Sequence, residues 1–214
     1  MSKYQHIIWD WNGTLFDDAG ICVQILNGSL AKRSMAVITV EQYQAEFGFP
    51  VKDYYEKLGF DFSQVPFDEL AKEFIEEYNE KRFGCQLRTD ALDVLQTCLD
   101  AGLGQSILSA YQQDMLEKIV EFFGIRSFFK KLFGLNDYYA NCKVAHGRLL
   151  MQELDVDPEQ VLMVGDTIHD HEVASQIGCD CVLIPSGHQS YKRLLSCGVG
   201  VMDSLKEVAK FWKA

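Results

Sequence analysis

Short apolar runs bounded by turn residues recur along the chain: HIIW at 6–9, SILS at 106–109, VLMV at 161–164, CVLI at 181–184 and VGVM at 199–202. Each is too short for a helix and suits a strand buried on both faces. Between these runs the apolar spacing becomes helical. In 114–123 the residues Met115, Leu116, Ile119, Val120 and Phe123 share one face, and in 91–99 Leu92, Leu95, Cys98 and Leu99 do the same. Ser204 and Glu207 have the spacing of a capping box and predict the start of a last helix. Strands alternating with helices predict an α/β fold with a mostly parallel sheet.

Residues 17–85 break the alternation. They contain no convincing strand run. Their clearest helix is 68–82, with Leu70, Ala71, Phe74, Ile75 and Tyr78 as its inner stripe. The expected organisation is a Rossmann-like three-layer core over 1–16 and 86–214, with a small all-helical cap over 17–85 inserted after the first strand.

Length and composition then narrow the class. A chain of 214 residues with 48 % hydrophobic and 24 % charged residues is expected to be globular, and no stretch approaches the length that spans a bilayer. The N-terminus lacks the basic-then-apolar build of a secretion signal, so a cytoplasmic location is expected. The net charge of −11 argues against nucleic acid, whose binding rests on neutralising phosphates. The insert is itself acidic, with 13 acids against 7 bases. Seven scattered cysteines read as reduced thiols, and Cys179-x-Cys181 is too close and isolated for a structural zinc site. A monomer or homodimer without membrane or nucleic-acid partners is expected.

Ligands of open parallel sheets sit beyond the carboxyl ends of the strands. Three of the predicted strands end in polar groups: Asp10 after the first, Ser109 after the second, and Gly165-Asp166 after the third, with Asp170 four residues on. Carboxylates at 10, 166 and 170 make a hard-oxygen site of the kind Mg²⁺ prefers. A metal beside a carboxylate and a hydroxyl suits phosphoryl transfer, which needs charge neutralised more than bonds rearranged. Lys143, opening the helical segment before VLMV, is placed to bridge Asp10 and a phosphate oxygen.

The set Asp10-x-Asn12-Gly13-Thr14, Ser109, Lys143 and Gly165-Asp166-x-x-x-Asp170 resembles the four motifs of the haloacid dehalogenase superfamily, and the helical insert resembles that family's cap. The segments LDVDPEQVLMVGDTIHDHEVASQIGCD and PSGHQSYKRL are similar to the phosphoglycolate phosphatase and phosphoglucomutase branch. The resemblance implies a Mg²⁺-dependent phosphatase of a small phosphorylated metabolite. Asp10 would be the nucleophile, forming an aspartyl-phosphate. The Asn12 backbone carbonyl and Asp166 would bind Mg²⁺ alongside Asp10, with Asp170 helping directly or through water. Ser109 and nearby amides such as that of Ala110 would hold the phosphate, Lys143 would neutralise charge, and Thr14 would brace the first loop.

One position departs from the pattern. Position 12, where phosphatases of this family usually carry a second aspartate as acid and base, is Asn. Three alternatives follow: a phospho-aspartyl or phosphate-binding switch with little turnover, a phosphatase restricted to low-pKa leaving groups such as acyl phosphate or pyrophosphate, and, less favoured, a phosphomutase. Asp17, Asp18 and His188 are the other candidate proton carriers. In the insert, Lys52 is expected to meet the substrate. Trp11, beside the nucleophile, is a packing residue that could also wall off the leaving group, while His169 and His171 are expected not to ligate metal.

Overall fold

The computed structural model describes residues 3–135, 143–185 and 187–212. The strands are β1 (His6–Trp9), β2 (Phe16–Asp17), β3 (Gln86–Leu87), β4 (Gly104–Gln112), β5 (Lys131–Leu135), β6 (Val161–Gly165), β7 (Asp180–Leu183) and β8 (Gly200–Val201). Six of them form one parallel sheet in the order β5–β4–β1–β6–β7–β8. The chain leaves β1 to build β4 and β5 on one side, then crosses back to build β6 on the other. That reversal opens a crevice at the carboxyl end of β1, the place where open α/β sheets bind ligands.

Alternation along the strands separates two apolar layers. Ile8, Leu108 and Met163 face Leu150 of α7 (Lys143–Leu154) and Val173, Ala174 and Ile177 of α8 (Ile168–Ile177). Ile7, Trp9, Ile107 and Val164 belong to the opposite layer. That layer is covered by α5 (Ala91–Asp100), α6 (Gln113–Phe122) and, after the short α9 (Tyr191–Leu194), α10 (Leu205–Phe211). The result is a three-layer α/β core. Among the described residues no helix is long and apolar enough to cross a membrane.

Some local expectations shift. β4 does not stop at Ser109; it continues to Gln112, with its register against β5 breaking between Leu108 and Gln112. β5 has no counterpart among the apolar runs, because this edge strand exposes Lys131 and only half-buries Leu132 and Phe133. The last helix starts as the sequence predicts, but the Glu207 carboxylate accepts from the Asp203 N–H at 2.9 Å, not from Ser204.

Between β2 and β3, which pair antiparallel, lie α1 (Ala19–Lys32), α2 (Val40–Glu46), α3 (Val51–Lys57) and α4 (Phe67–Lys81). The predicted stripe of α4 points inward: Leu70 and Tyr78 are buried, with Phe74 packed against the same core. Helix α2 starts on a Thr39–Gln42 capping box and rests on the loop after β7. There Gln44 Nε2 donates to the Gly187 carbonyl at 2.8 Å, and the Ser190 N–H donates to the Gln44 carbonyl at 3.0 Å. Gln189 and Arg193 both donate to the Phe47 carbonyl. These bonds hold the helical segment over the carboxyl end of β1.

Candidate active site

Asp10 directly follows β1, its N–H bonded to the Val164 carbonyl at 2.8 Å. Asp166 directly follows β6, so the two carboxylates emerge side by side. Lys143, the first residue of α7, reaches both Asp10 Oδ1 at 2.5 Å and Asp170 Oδ1 at 2.6 Å, and all three side chains are buried. Thr14 Oγ1 stands between the carboxylates, donating toward Asp10 Oδ2 at 3.3 Å or Asp166 Oδ1 at 3.2 Å. Thr14 is fully buried and lies outside the cavity lining, with its hydroxyl turned to the carboxylates.

Backbone approaches this tightly only through glycine. Gly13 has φ +75°, and a Cβ there would lie 2.2 Å from Asp166 Oδ2; one on Gly187 would lie 2.1 Å from the same atom. Asp170 has a different duty from Asp10 and Asp166. Its Oδ2 accepts from the Thr167 hydroxyl at 2.6 Å and from the Thr167 and Asp166 N–H groups, completing the cap of α8. With Oδ1 on Lys143, both of its oxygens are engaged.

Three buried carboxylates face one ammonium. Burial raises the Asp10 carboxyl, Lys143 opposes this, and Asp170 and Asp166 add to it. Asp166 is likewise pushed up, to about 6, by burial, partly offset by His188. Lys143 is held charged: burial opposes its proton, but Asp10 and Asp170 outweigh that. Oxygens of Asp10, Asp166 and Asp170 lie within 4.8 Å of one another. This excess of negative charge on hard donors fits a divalent cation.

Position 12 is set by partners that the sequence does not reveal. Asn12 Nδ2 donates to Asp18 Oδ2 at 2.7 Å and to the Tyr78 hydroxyl at 2.8 Å, while its Oδ1 is 3.5 Å from Ser109 Oγ. Asp18 Oδ1 accepts from the Gly13 N–H at 2.9 Å and lies 3.3 Å from His188 Nε2. His188 Nδ1 meets the Tyr43 hydroxyl at 2.9 Å, and the His188 backbone N–H donates to Asp166 Oδ2 at 2.5 Å. Burial disfavours the charge on Asp18, but His188, Tyr78 and Asn12 hold it below the usual carboxylate range. Burial likewise opposes the His188 charge, and Asp18 more than compensates, raising it to about 9. An ionised Asp18 accepts only, so the residue facing it must donate. Asparagine does.

A cavity of about 250 Å³ opens above these groups. Its floor includes Asp10, Asn12, Ser109, Ala110, Lys143, Asp166 and Asp170. Asp18 and His188 also line it, whereas Asp17 is exposed on β2. Trp11 does not border the cavity: it is fully buried, stacked on Phe16 at 5.2 Å. Lys52 is not brought to the site either. It is exposed on α3, with Nζ 5.5 Å from the Phe62 ring centroid.

Comparison with known proteins agrees with this architecture. The family model described as haloacid dehalogenase-like hydrolase matches residues 7–184. A protein of Caldanaerobacter subterraneus subsp. tengcongensis named as a pyrophosphatase, PpaX, is 23 % identical over 185 residues, covering 85 % of this chain and 82 % of that one. A haloacid dehalogenase-like family protein of Streptococcus pneumoniae superposes with a TM-score of 0.84 at 19 % identity, covering 99 % of both chains. A structure from Lactobacillus delbrueckii subsp. bulgaricus, named for phosphoglycolate phosphatase, has a TM-score of 0.81 at 16 % identity, covering 99 % of this chain and 98 % of that one. With its motifs on the strand ends and the family match spanning most of its length, this chain belongs to the haloacid dehalogenase-like hydrolases.

Proposed function

We propose that the protein is a Mg²⁺-dependent phosphatase acting on a small phosphorylated metabolite through an aspartyl-phosphate on Asp10. The observation that carries this is the buried cluster in which Lys143 joins Asp10 to Asp170 beside Asp166, at the floor of a cavity. Asp10, Asp166 and the Asn12 backbone carbonyl would hold Mg²⁺, with Asp170 acting through water because both its oxygens are engaged. Bound there, the cation supplies charge neutralisation for the phosphoryl group.

The residues of the chain do the rest. A carboxylate oxygen of Asp10 attacks phosphorus, and the bond to the leaving oxygen breaks. Lys143 offsets charge on Asp10 and the phosphate, while Ser109 and the Ala110 amide orient the phosphate. Water then attacks the aspartyl-phosphate, releasing phosphate and restoring Asp10. Residues 17–85 form the cap that excludes bulk water during the first step. Asn12 offers no acidic proton, and both His188 ring nitrogens are engaged by Asp18 and Tyr43, so the leaving oxygen departs as an anion or takes its proton from water. Low-pKa leaving groups are therefore favoured.

Phosphate release from a metabolite panel, with Mg²⁺ and with chelator, tests the reading. Wild type should release phosphate only with Mg²⁺, and Asp10→Asn should remove activity while leaving the fold intact. Substantial turnover by a folded Asp10→Asn protein would overturn the covalent mechanism. The commitment of the Asn12 amide to Asp18 and Tyr78 favours a second reading, a phospho-aspartyl switch that turns over slowly. A burst of one equivalent followed by near-zero turnover on every substrate would select it.

A further inference from the structure

The cavity floor is charged, and beyond it the one charged pair among the described lining residues is Asp18 with His188. Above Asp10 and Lys143 the lining is largely aromatic and aliphatic, and includes Phe47, Phe49, Tyr54, Phe74, Ile75 and Met115. Phe47 packs edge-on to both Phe49 and Tyr54, with ring centroids 5.5 and 5.4 Å apart. Among the described residues, Lys143 is the sole lysine or arginine in the lining, and it is already shared between Asp10 and Asp170. The His188 imidazole is matched to Asp18, and His169 Nδ1 to Glu172 at 3.2 Å. Arg82, a buried guanidinium next to this wall, is spent on Asn79, the Tyr111 hydroxyl and Met115 and lies outside the lining.

A substrate with a second anionic group would bury that charge against this wall without a counter-ion, and an unpaired buried charge is strongly unfavourable. Phosphoglycolate carries such a group in its carboxylate, and pyrophosphate in its second phosphoryl. An uncharged ring instead gains apolar contact and edge-to-face packing. The absence of an acid at position 12 points the same way, because a phenol leaves more readily than an aliphatic alcohol.

Resting on the phosphatase reading above, we propose that the substrate is a phosphate monoester of an uncharged aromatic body, an aryl phosphate, and that the cap walls discriminate against metabolites that carry a second anionic group.

Two arms separate this from the parent reading. The first measures binding without turnover: the Asp10→Asn protein with Mg²⁺ is titrated by calorimetry with phenyl phosphate, 4-carboxyphenyl phosphate, phosphoglycolate and pyrophosphate. Phenyl phosphate should bind at least about tenfold more tightly than its carboxylated twin and the two metabolites. The second arm measures kcat/KM of wild type on the same compounds and on 4-nitrophenyl phosphate. The carboxyl group makes a slightly better leaving group, so a preference for phenyl phosphate there, expressed in KM, reads the wall and not the chemistry. Ile75→Lys, which puts a cation in the wall, should narrow or reverse the preference. Equal or tighter binding of the charged compounds overturns this inference and leaves the phosphatase standing. No phosphate release from any compound, 4-nitrophenyl phosphate included, overturns the phosphatase, and the binding arm still decides what the cavity accepts.

Discussion

Asn12 and Asp18 exchange what a single carboxylate at position 12 would supply alone. The amide donates to Asp18 at 2.7 Å, and a carboxylate in its place would meet another carboxylate at hydrogen-bond distance in a buried site. Like charges so placed cannot both ionise. Asn12→Asp is therefore expected to lose about 1–3 kcal/mol of stability at neutral pH, the scale of a lost buried bond. Asn12→Asp/Asp18→Asn, which exchanges the two groups, should recover part of that loss. Urea unfolding of wild type, both single variants (Asn12→Asp and Asp18→Asn) and the double variant gives the coupling directly. An Asn12→Asp protein as stable as wild type, with no coupling to position 18, would mean that Asp18 does not dictate the residue at 12. Any gain in turnover on alkyl phosphates from an acid at 12 should likewise need the Asp18→Asn change. At Lys143 the opposite imbalance is expected. Lys143→Ala strands buried carboxylates and should cost about 3–5 kcal/mol together with most activity. Added Mg²⁺ should restore part of the melting temperature but not the rate, and a melting temperature indifferent to both would contradict the charge assignment.

At the scale of elements, α2 is the clasp. Gln44 bonds the Gly187 carbonyl at 2.8 Å and Tyr43 meets His188 at 2.9 Å, so one helical turn ties the insert to the loop that also supplies Asp166 with its backbone donor. Tyr43→Phe with Gln44→Ala removes both side-chain bonds and leaves the apolar contacts of α2 nearly intact. Their loss, worth about 1–2 kcal/mol, should raise local opening of α2 and α3 about five- to thirtyfold. Hydrogen exchange should show faster exchange there, with β1 and β6 unchanged. Uniform acceleration across the sheet would show that the two bonds stabilise the whole core and not the closure. The element pattern also explains how legible the fold was. Buried central strands read as apolar runs because both faces are covered, whereas in β5 the adjoining Lys130 and Lys131 and the internal Gly134 leave only short apolar pieces.

For the whole molecule, the sheet reversal at β1 gathers residues far apart in sequence, and the same packing buries a titratable group away from the site. His6 opens β1 fully buried; Nε2 is 3.0 Å from Ser106 Oγ and Nδ1 has no partner. Burial, reinforced by Lys130, lowers its pKa from 6.5 to about 4. Between these values the unfolded chain binds the proton and the folded chain does not, so stability falls as pH drops. The contribution is complete above about pH 6.5 and is lost toward pH 4, on the order of 3 kcal/mol. The stability difference between wild type and His6→Gln should therefore shift in favour of the variant as the pH is lowered from 7 to 4.5. A difference independent of pH would show that His6 does not carry the acid sensitivity.

The sequence by itself determined what depends on near neighbours: the central strands, the helical stripe of α4, and the placement of Asp10, Ser109, Lys143, Asp166 and Asp170 along the chain. Each follows from periodicity or from a residue's position relative to its own element. Only the tertiary structure decided that Asn12 would face Asp18, that Asp18 would pair with His188, that Lys52 would lie outside the cavity and that, among the described residues, Lys143 would be the one lysine or arginine in its lining. Those outcomes depend on which side chains meet across separate elements, and charge and apolar area are balanced there between residues that no local spacing relates.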